Sequence, residues 1–267
     1  MDVSKYKDLI ATIKKRRRWV VGLTFAAIAV ILALTLLAAL KVIPPLGIEI
    51  QPVTVILAIL LCLFVEVIAY ASVSTPLNTA MSEECDPEKH LALNTSLSHS
   101  KNLDHIYATD YLYMGRYEEA LAHTSVMLES TNDQTVLAGL FNKARCEFFT
   151  ENREALQQTT EQYKAKLSDC KKLKPKVKMT YERAVDALDL MCAIADGNTE
   201  EMRVRKDDLE SWSASKATVG FVDYIIGLAA YKTDDRELAT DKFTAVKQNC
   251  AKTVLAKLSE EYLTIPQ

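Results

Sequence analysis

Two stretches constrain this chain more than anything else in it. From Trp19 to Leu40 the sequence reads WVVGLTFAAIAVILALTLLAAL without a charge, and from Val53 to Val73 it reads VTVILAILLCLFVEVIAYASV with one, Glu66. As a helix rising ~1.5 Å per residue, the first run measures about 33 Å, which matches a hydrocarbon core of ~30 Å. Inside such a core no water satisfies backbone N–H and C=O groups, so each run is expected to be a transmembrane helix. The connector at 41–52, KVIPPLGIEIQP, is short and rich in turn formers (Pro44, Pro45, Gly47, Pro52). It implies a hairpin, with the connector outside the cytoplasm and the chain returned to its starting side.

Flanking charge orients the hairpin. The first 18 residues carry Lys5, Lys7, Lys14, Lys15, Arg16, Arg17 and Arg18, while the connector carries only Lys41. Excess Lys and Arg mark the cytoplasmic side. The expectation is a two-pass cell-membrane protein with its N-terminus and its C-terminal domain (83–267, after a second span at 53–74) in the cytoplasm. A cleaved signal peptide fits less well, because the apolar run is long, lacks a small-x-small cleavage site and is followed by another. Val3, Tyr6, Ile10 and Ile13 share a helical face, so residues 1–18 read as a basic amphipathic segment on the inner leaflet. Lys14, Lys15, Arg16, Arg17 and Arg18 would then reach anionic headgroups, or serve only to set topology.

Glu66 is costly at this depth, about 2.5–3.5 kcal/mol on insertion scales, and desolvation favours its neutral form. No second charged residue in either span completes a relay. A hydrogen bond across the hairpin, or in an oligomer formed through it, accounts for Glu66; small residues at Gly22, Ala26, Ala29 and Ala33 suit such packing. The alternative is a small transporter or ion-coupled component in which Glu66 is the working carboxylate.

Beyond the second run the chain reads as helix. It has only 7 Gly and 7 Pro, too few for a fold built on tight turns. Asp86-Pro87-Glu88 has the form of a helix start, with Asp as N-cap and Pro at the first position. Apolar residues then recur at three- and four-residue spacing, broken near Ser130–Asp133, Lys174-Pro175, Asp196-Gly197-Asn198, Ser211–Ser215 and Thr233–Asp235. Short breaks between such helices imply antiparallel pairs.

A repeat accompanies the pairing. Ile106–Leu128 (IYATDYLYMGRYEEALAHTSVML) places Ala108, Tyr111, Gly115, Tyr117 and Ala120 at the offsets of a tetratricopeptide unit, which it resembles. Small residues let two helices approach and aromatics fill the space between them. Further copies align on Glu154-Ala155, on DGNTEEM (196–202) and on YIIGLAAYKTDDRELATDKFTAV (224–246), with an irregular insertion expected around 164–178. The fold expected is therefore all-α: a transmembrane hairpin followed by a tetratricopeptide-like solenoid of about four helix pairs. The arrangement resembles bacterial membrane proteins of unassigned function that couple short anchors to tetratricopeptide domains. That resemblance implies a concave groove for a protein or peptide partner, lined here by His105, Thr109, Leu112, Glu147, Met191, Tyr224, Leu228 and Tyr231. The Lys and Asn clamp of chaperone-binding members is missing.

Other chemistries find little footing in the sequence. Beyond residue 74 there are 24 Lys and Arg against 31 Asp and Glu, a poor balance for binding nucleic acid. Seven lysines between Lys164 and Lys178 form a local exception that would face solvent or lipid headgroups. Six cysteines without a CxxC pair read as reduced free thiols, and no cofactor or metal is expected. His99, His105 and Asp104 lack ligand spacing, and no phosphate loop, HExxH or GxSxG occurs. The expected role is a membrane-anchored scaffold, not an enzyme.

Overall fold

The computed structural model describes residues 3–39, 50–97, 103–170, 173–209 and 215–265. Among these the protein is all α, without strands, and it divides into two units, Met1–Asn78 and Thr79–Gln267.

In the first unit a 3-10 turn (Val3–Tyr6) leads into α1 (Lys7–Ala39), and α2 runs from Ile50 to Ser82. From Lys7 onward the basic stretch is helical. With no proline between Lys7 and Ala39, it fuses with the first apolar run into one helix of 33 residues. Tyr6, Ile10 and Ile13 are buried, whereas Lys14, Lys15, Arg16 and Arg18 are exposed and Arg17 is half-buried. Helix α2 starts ahead of the expected boundary at 53 and passes through Pro76, which forfeits one backbone donor without ending it. The connector at 40–49 lies outside the described residues, as do the side chains at 34–36, 38–39, 50–55, 58, 66, 69–70 and 72–73, Glu66 included. The two apolar runs are therefore described in part. Among the described residues, no helix is long and apolar enough to cross a membrane.

The second unit begins with the last turn of α2. It continues through α3 (Pro87–Leu97), α4 (Asp104–Tyr113), α5 (Tyr117–Leu128), α6 (Asp133–Phe149) and α7 (Arg153–Asp169). Then come α8 (Pro175–Asp196), α9 (Thr199–Leu209), α10 (Lys216–Lys232), α11 (Arg236–Asn249) and α12 (Val254–Thr264). The Asp86 carboxylate accepts from the Lys89 N–H at 2.9 Å, capping α3 as its sequence foretells. Most described residues between 164 and 178 belong to helices, with 171 and 172 outside the described residues. Extra length is taken up by α7 and α8, of 17 and 22 residues, the latter opened by Pro175.

Four pairs, α4/α5, α6/α7, α8/α9 and α10/α11, are joined by one recurring turn. A residue with positive φ stands in each: Gly115 (76°), Glu151 (57°), Gly197 (69°) and Asp234 (64°). The next N–H reaches back five residues to a carbonyl of the preceding helix: Arg116 to Tyr111, Asn152 to Glu147, Asn198 to Ala193, and Asp235 to Ala230, at 2.8–3.0 Å. This six-to-one bond is the Schellman closure of a helix end. In three of the four, the side chain of that same residue caps the following helix, Asn152 to Ala155 N–H, Asn198 to Glu201 N–H and Asp235 to Leu238 N–H. Paired carboxylates at Glu118-Glu119 and Glu200-Glu201 then occupy first turns, where the helix dipole favours them.

Each pair packs on the next, and the first helices touch in succession, α4 on α6, α6 on α8, α8 on α10 and α10 on α12. This nearest-neighbour stacking is the pattern of repeat arrays. The array is not open, however. Its start meets its end: Tyr113 Oη donates to the Ala217 carbonyl (2.8 Å), Lys252 pairs with Asp86 (2.7 Å), and Cys85 Sγ lies 2.9 Å from Cys250 Sγ.

Two substitutions test the turn. Glu151 adopts a left-handed conformation that disfavours a Cβ, so Glu151→Gly should raise stability by about 0.5–1 kcal/mol. Gly115 has the same conformation, and an added Cβ would meet Val254 Cγ2 at 2.9 Å. Gly115→Ala should therefore cost at least ~1–2 kcal/mol. Thermal unfolding followed by circular dichroism reads both; equal effects of the two would refute a shared turn.

Candidate functional site

The residues expected to line a concave groove part company in the structure. Leu112, Met191, Tyr224 and Leu228 are buried in the apolar core, and Glu147 is 6% exposed. Burial pushes the Glu147 carboxyl above its ordinary range, and its Oε2 has no hydrogen-bond partner. Tyr231 is half-buried under α12: the Tyr262 ring meets it edge-on at 5.1 Å, and the Arg236 guanidinium lies 4.3 Å over its face. His105 and Thr109 stay accessible. The groove is filled because the start of the array meets its end, so the inner helix faces pack on one another.

Phe141, Phe149, Phe221 and Tyr224 occupy that interior, with ring centroids about 6 Å apart. Among them sits Arg145, 4% exposed, its guanidinium 4.2 Å from Phe221, 4.7 Å from Tyr113 and 5.4 Å from Phe141. Nε and Nη2 have no hydrogen-bond partner. Desolvated cation–π contacts of ~2 kcal/mol each offset part of the cost of burying that charge. Sequence spacing could not reveal this box, whose rings come from α4, α6 and α10.

The accessible polar face belongs to the first pair. A cleft of about 360 Å³ is lined by Asp104, His105, Val126, Met127, Ser130, Asn132, Gln134, Thr135 and Ala138. Its wall carries Val126, 49% exposed; Thr109, on the same helix as His105, has a hydroxyl that accepts from Asn142 Nδ2 (3.2 Å). Alongside runs a stacked ladder in which the His123 ring lies 4.6 Å from Tyr107 and 5.7 Å from Tyr111, with the Arg116 guanidinium 4.5 Å over Tyr111. Asp104 bonds His123 Nδ1 (2.7 Å) and holds that ring in the stack. Half-buried Tyr rings and an Arg beside an open cleft are the residue types that anchor protein partners. The sequence placed Tyr111 and Tyr117 as inter-helix filler and missed the ladder, since His123 comes from the other helix of the pair.

His90 Nδ1 lies 2.8 Å from Asp110, which is fully buried. Burial raises the Asp110 carboxyl to about 6 although His90 pulls it down. An imidazole so oriented has the form of a general base. Among the described residues, no hydroxyl or thiol bonds to its other nitrogen, so the pair reads as a tie between α3 and α4. Of the clustered lysines, Lys164 pairs with Glu161 and Asp189, Lys166 with Asp133 and Lys178 with Glu182, which leaves Lys174 and Lys176 exposed. Lys171, Lys172 and His99 lie outside the described residues.

No family model, no curated protein and no solved structure matches the chain. The likeness to tetratricopeptide proteins rests on the residues and turns above.

Asp110 gives a pH dependence of definite sign. Its pKa is raised in the folded protein, to about 6 against ~3.9 unfolded, so its stabilising proton is fully bound below pH ~4 and lost as pH rises through about 6. Stability should fall across that window. Asp110→Asn, which keeps a polar partner for His90, should flatten the slope; an unchanged slope in urea titrations from pH 4 to 7 would sink the assignment.

Proposed function

We propose that the chain is a membrane-anchored helical-repeat scaffold that holds a protein or peptide partner at the cleft and stacked ladder of its first helix pair. The observation that carries the membrane part is the exposure of large apolar side chains along α1 and α2. Fifteen are exposed among the described residues, among them Trp19 (65%), Phe25 (69%), Leu57 (62%), Phe64 (62%) and Val67 (64%). At ~1.5–3 kcal/mol for each large side chain fully hidden from water, this partial exposure represents on the order of 10–20 kcal/mol, comparable to the whole stability of a domain. Lipid covers such surface without further protein. The charge asymmetry favours the cytoplasm for the second unit, with the exposed cations from Lys14 to Arg18 at the headgroup level.

Stacked pairs joined by one repeated turn support the scaffold part, as does the tetratricopeptide-like spacing around Gly115. The binding face differs from the groove expected of the family, because that groove is packed here. His105 and Thr109 remain in the reading, joined by Tyr107, Tyr111, His123, Arg116 and Val126.

Three measurements test it. The full chain should stay with the membrane through alkaline extraction, and release into the soluble fraction ends the proposal. A cysteine introduced at exposed Gln158 should react with an impermeant thiol reagent only after lysis. A photo-crosslinking residue at Val126 should give a discrete adduct in cells that Tyr107→Ala with Arg116→Ala reduces about tenfold, a loss of ~1.4 kcal/mol. An adduct pattern indifferent to those changes would remove this face from consideration.

A further inference from the structure

Six cysteines are scattered through the sequence, yet two that stand 165 residues apart meet in the fold. Cys85 lies in the link between α2 and α3, Cys250 at the C-terminal end of α11, and both are fully buried. Their sulfurs are 2.9 Å apart, within about 1 Å of a covalent S–S bond of ~2.05 Å. The surroundings are built around the contact. Cys85 adopts a left-handed backbone conformation (φ 49°), uncommon for a residue with a Cβ, and this aims its side chain across the link. Gly220 lies against Cys250, where an added Cβ would overlap Sγ. The residues next in line, Asp86 and Lys252, form an ion pair at 2.7 Å, so the two links are registered by a second contact.

We propose that Cys85 and Cys250 form a reversible dithiol–disulfide clasp that locks the start of the helical array to its end. The hydrogen bond from Cys85 holds the Cys250 thiol below its ordinary range while Cys85 is held above, which makes Cys250 the sulfur that reacts first. The oxidant is a hydroperoxide. The Cys250 thiolate attacks its terminal oxygen, breaking the O–O bond, releasing an alcohol or water and leaving a sulfenic acid. Cys85 then loses its proton and attacks that sulfur; the S–O bond breaks and hydroxide leaves with the proton as water. Two thiols and one hydroperoxide thus become one disulfide, one alcohol and one water. Access comes through the short link from Cys250 to Thr253, whose Ala251 and Lys252 are already exposed. A small-molecule thiol reverses the reaction by exchange.

The consequence is mechanical. The closure that fills the groove depends on the contacts of Cys85–Cys250, Asp86–Lys252 and Tyr113–Ala217. A covalent link across so long a loop removes much of the freedom of the opened chain.

The test uses full-length protein treated with hydrogen peroxide and then with dithiothreitol. Expected after peroxide are a mass lower by two hydrogens, a Cys85–Cys250 cross-linked peptide in the digest, and a rise in unfolding midpoint of about 10 °C that dithiothreitol reverses. Cys85→Ala should abolish the rise. If that variant does not fold, the wild-type digest decides alone. Both cysteines still alkylatable after peroxide and denaturation, a disulfide to a different cysteine, or Cys250 recovered as sulfinic acid beside a free Cys85 would each overturn the proposal.

Discussion

The second unit depends on reversing the chain four times with the same hydrogen-bonded turn. A helix end leaves carbonyls unsatisfied, and the cheapest compact way to use them is to let one residue go left-handed so that the following N–H folds back onto the helix. Gly115 and Gly197 do this at no steric cost, while Glu151 and Asp234 do it against their own preference. That two unfavourable residues hold the conformation shows how strongly the flanking helices impose it. Equal turns give equal inter-helix geometry, and equal geometry lets each pair offer the next the same apolar stripe. The ion pair of Arg153 with Asp196 and the hydrogen bond of Gln157 to the same carboxylate, from one pair to the next, trim this packing and do not create it.

Stacking leaves a difficulty at the ends, where a stripe has no neighbour. This chain meets it in two ways. Helix α12 buries Leu255 and Ala256, and its Tyr262 stacks on the buried Phe243 ring of the last pair at 5.0 Å. The first pair is met by the last, through the Tyr113 hydroxyl and by Val254 packed on Gly115. Closing the array buries the inner faces more completely than an open curve would, and that is the physical reason the groove is missing. Arg145 is the residue of that closure: its charge is tolerated because three aromatic faces surround it.

Local features were legible in the sequence because local rules govern them. The Asp86 cap and the breaks at Lys174-Pro175 and Asp196-Gly197-Asn198 stand where spacing put them. Glu154-Ala155 marked a real second pair because a repeated turn needs a repeated helix start. What spacing could not show was contact between distant pairs. Tyr224 and Leu228 occupy inner-helix positions by offset, but whether such a position faces solvent or another helix depends on where the array ends. The same holds for His123, which stacks against both Tyr107 and Tyr111, and for Cys85, whose neighbour lies near the other end of the chain. Lys164, Lys166 and Lys178, read as part of an irregular insertion, stand in helices, because lysines are good helix formers and these three find carboxylates within reach.

Elimination narrows where recognition can occur. The inner faces are spent on one another, the far end is roofed by α12, and Lys164, Lys166 and Lys178 are paired with carboxylates. Two surfaces among the described residues stand out, the apolar flanks of α1 and α2 and the cleft with its aromatic ladder beside the first pair. They ask for opposite partners. The flanks offer no hydrogen-bonding groups and want only to leave water, which suits lipid. The cleft offers carboxylate, hydroxyl, amide and imidazole groups beside exposed Val126, a mixture that discriminates among protein surfaces because an unmatched polar group there costs ~1–3 kcal/mol. The two surfaces therefore differ in kind, and the difference follows from the chemistry of their side chains.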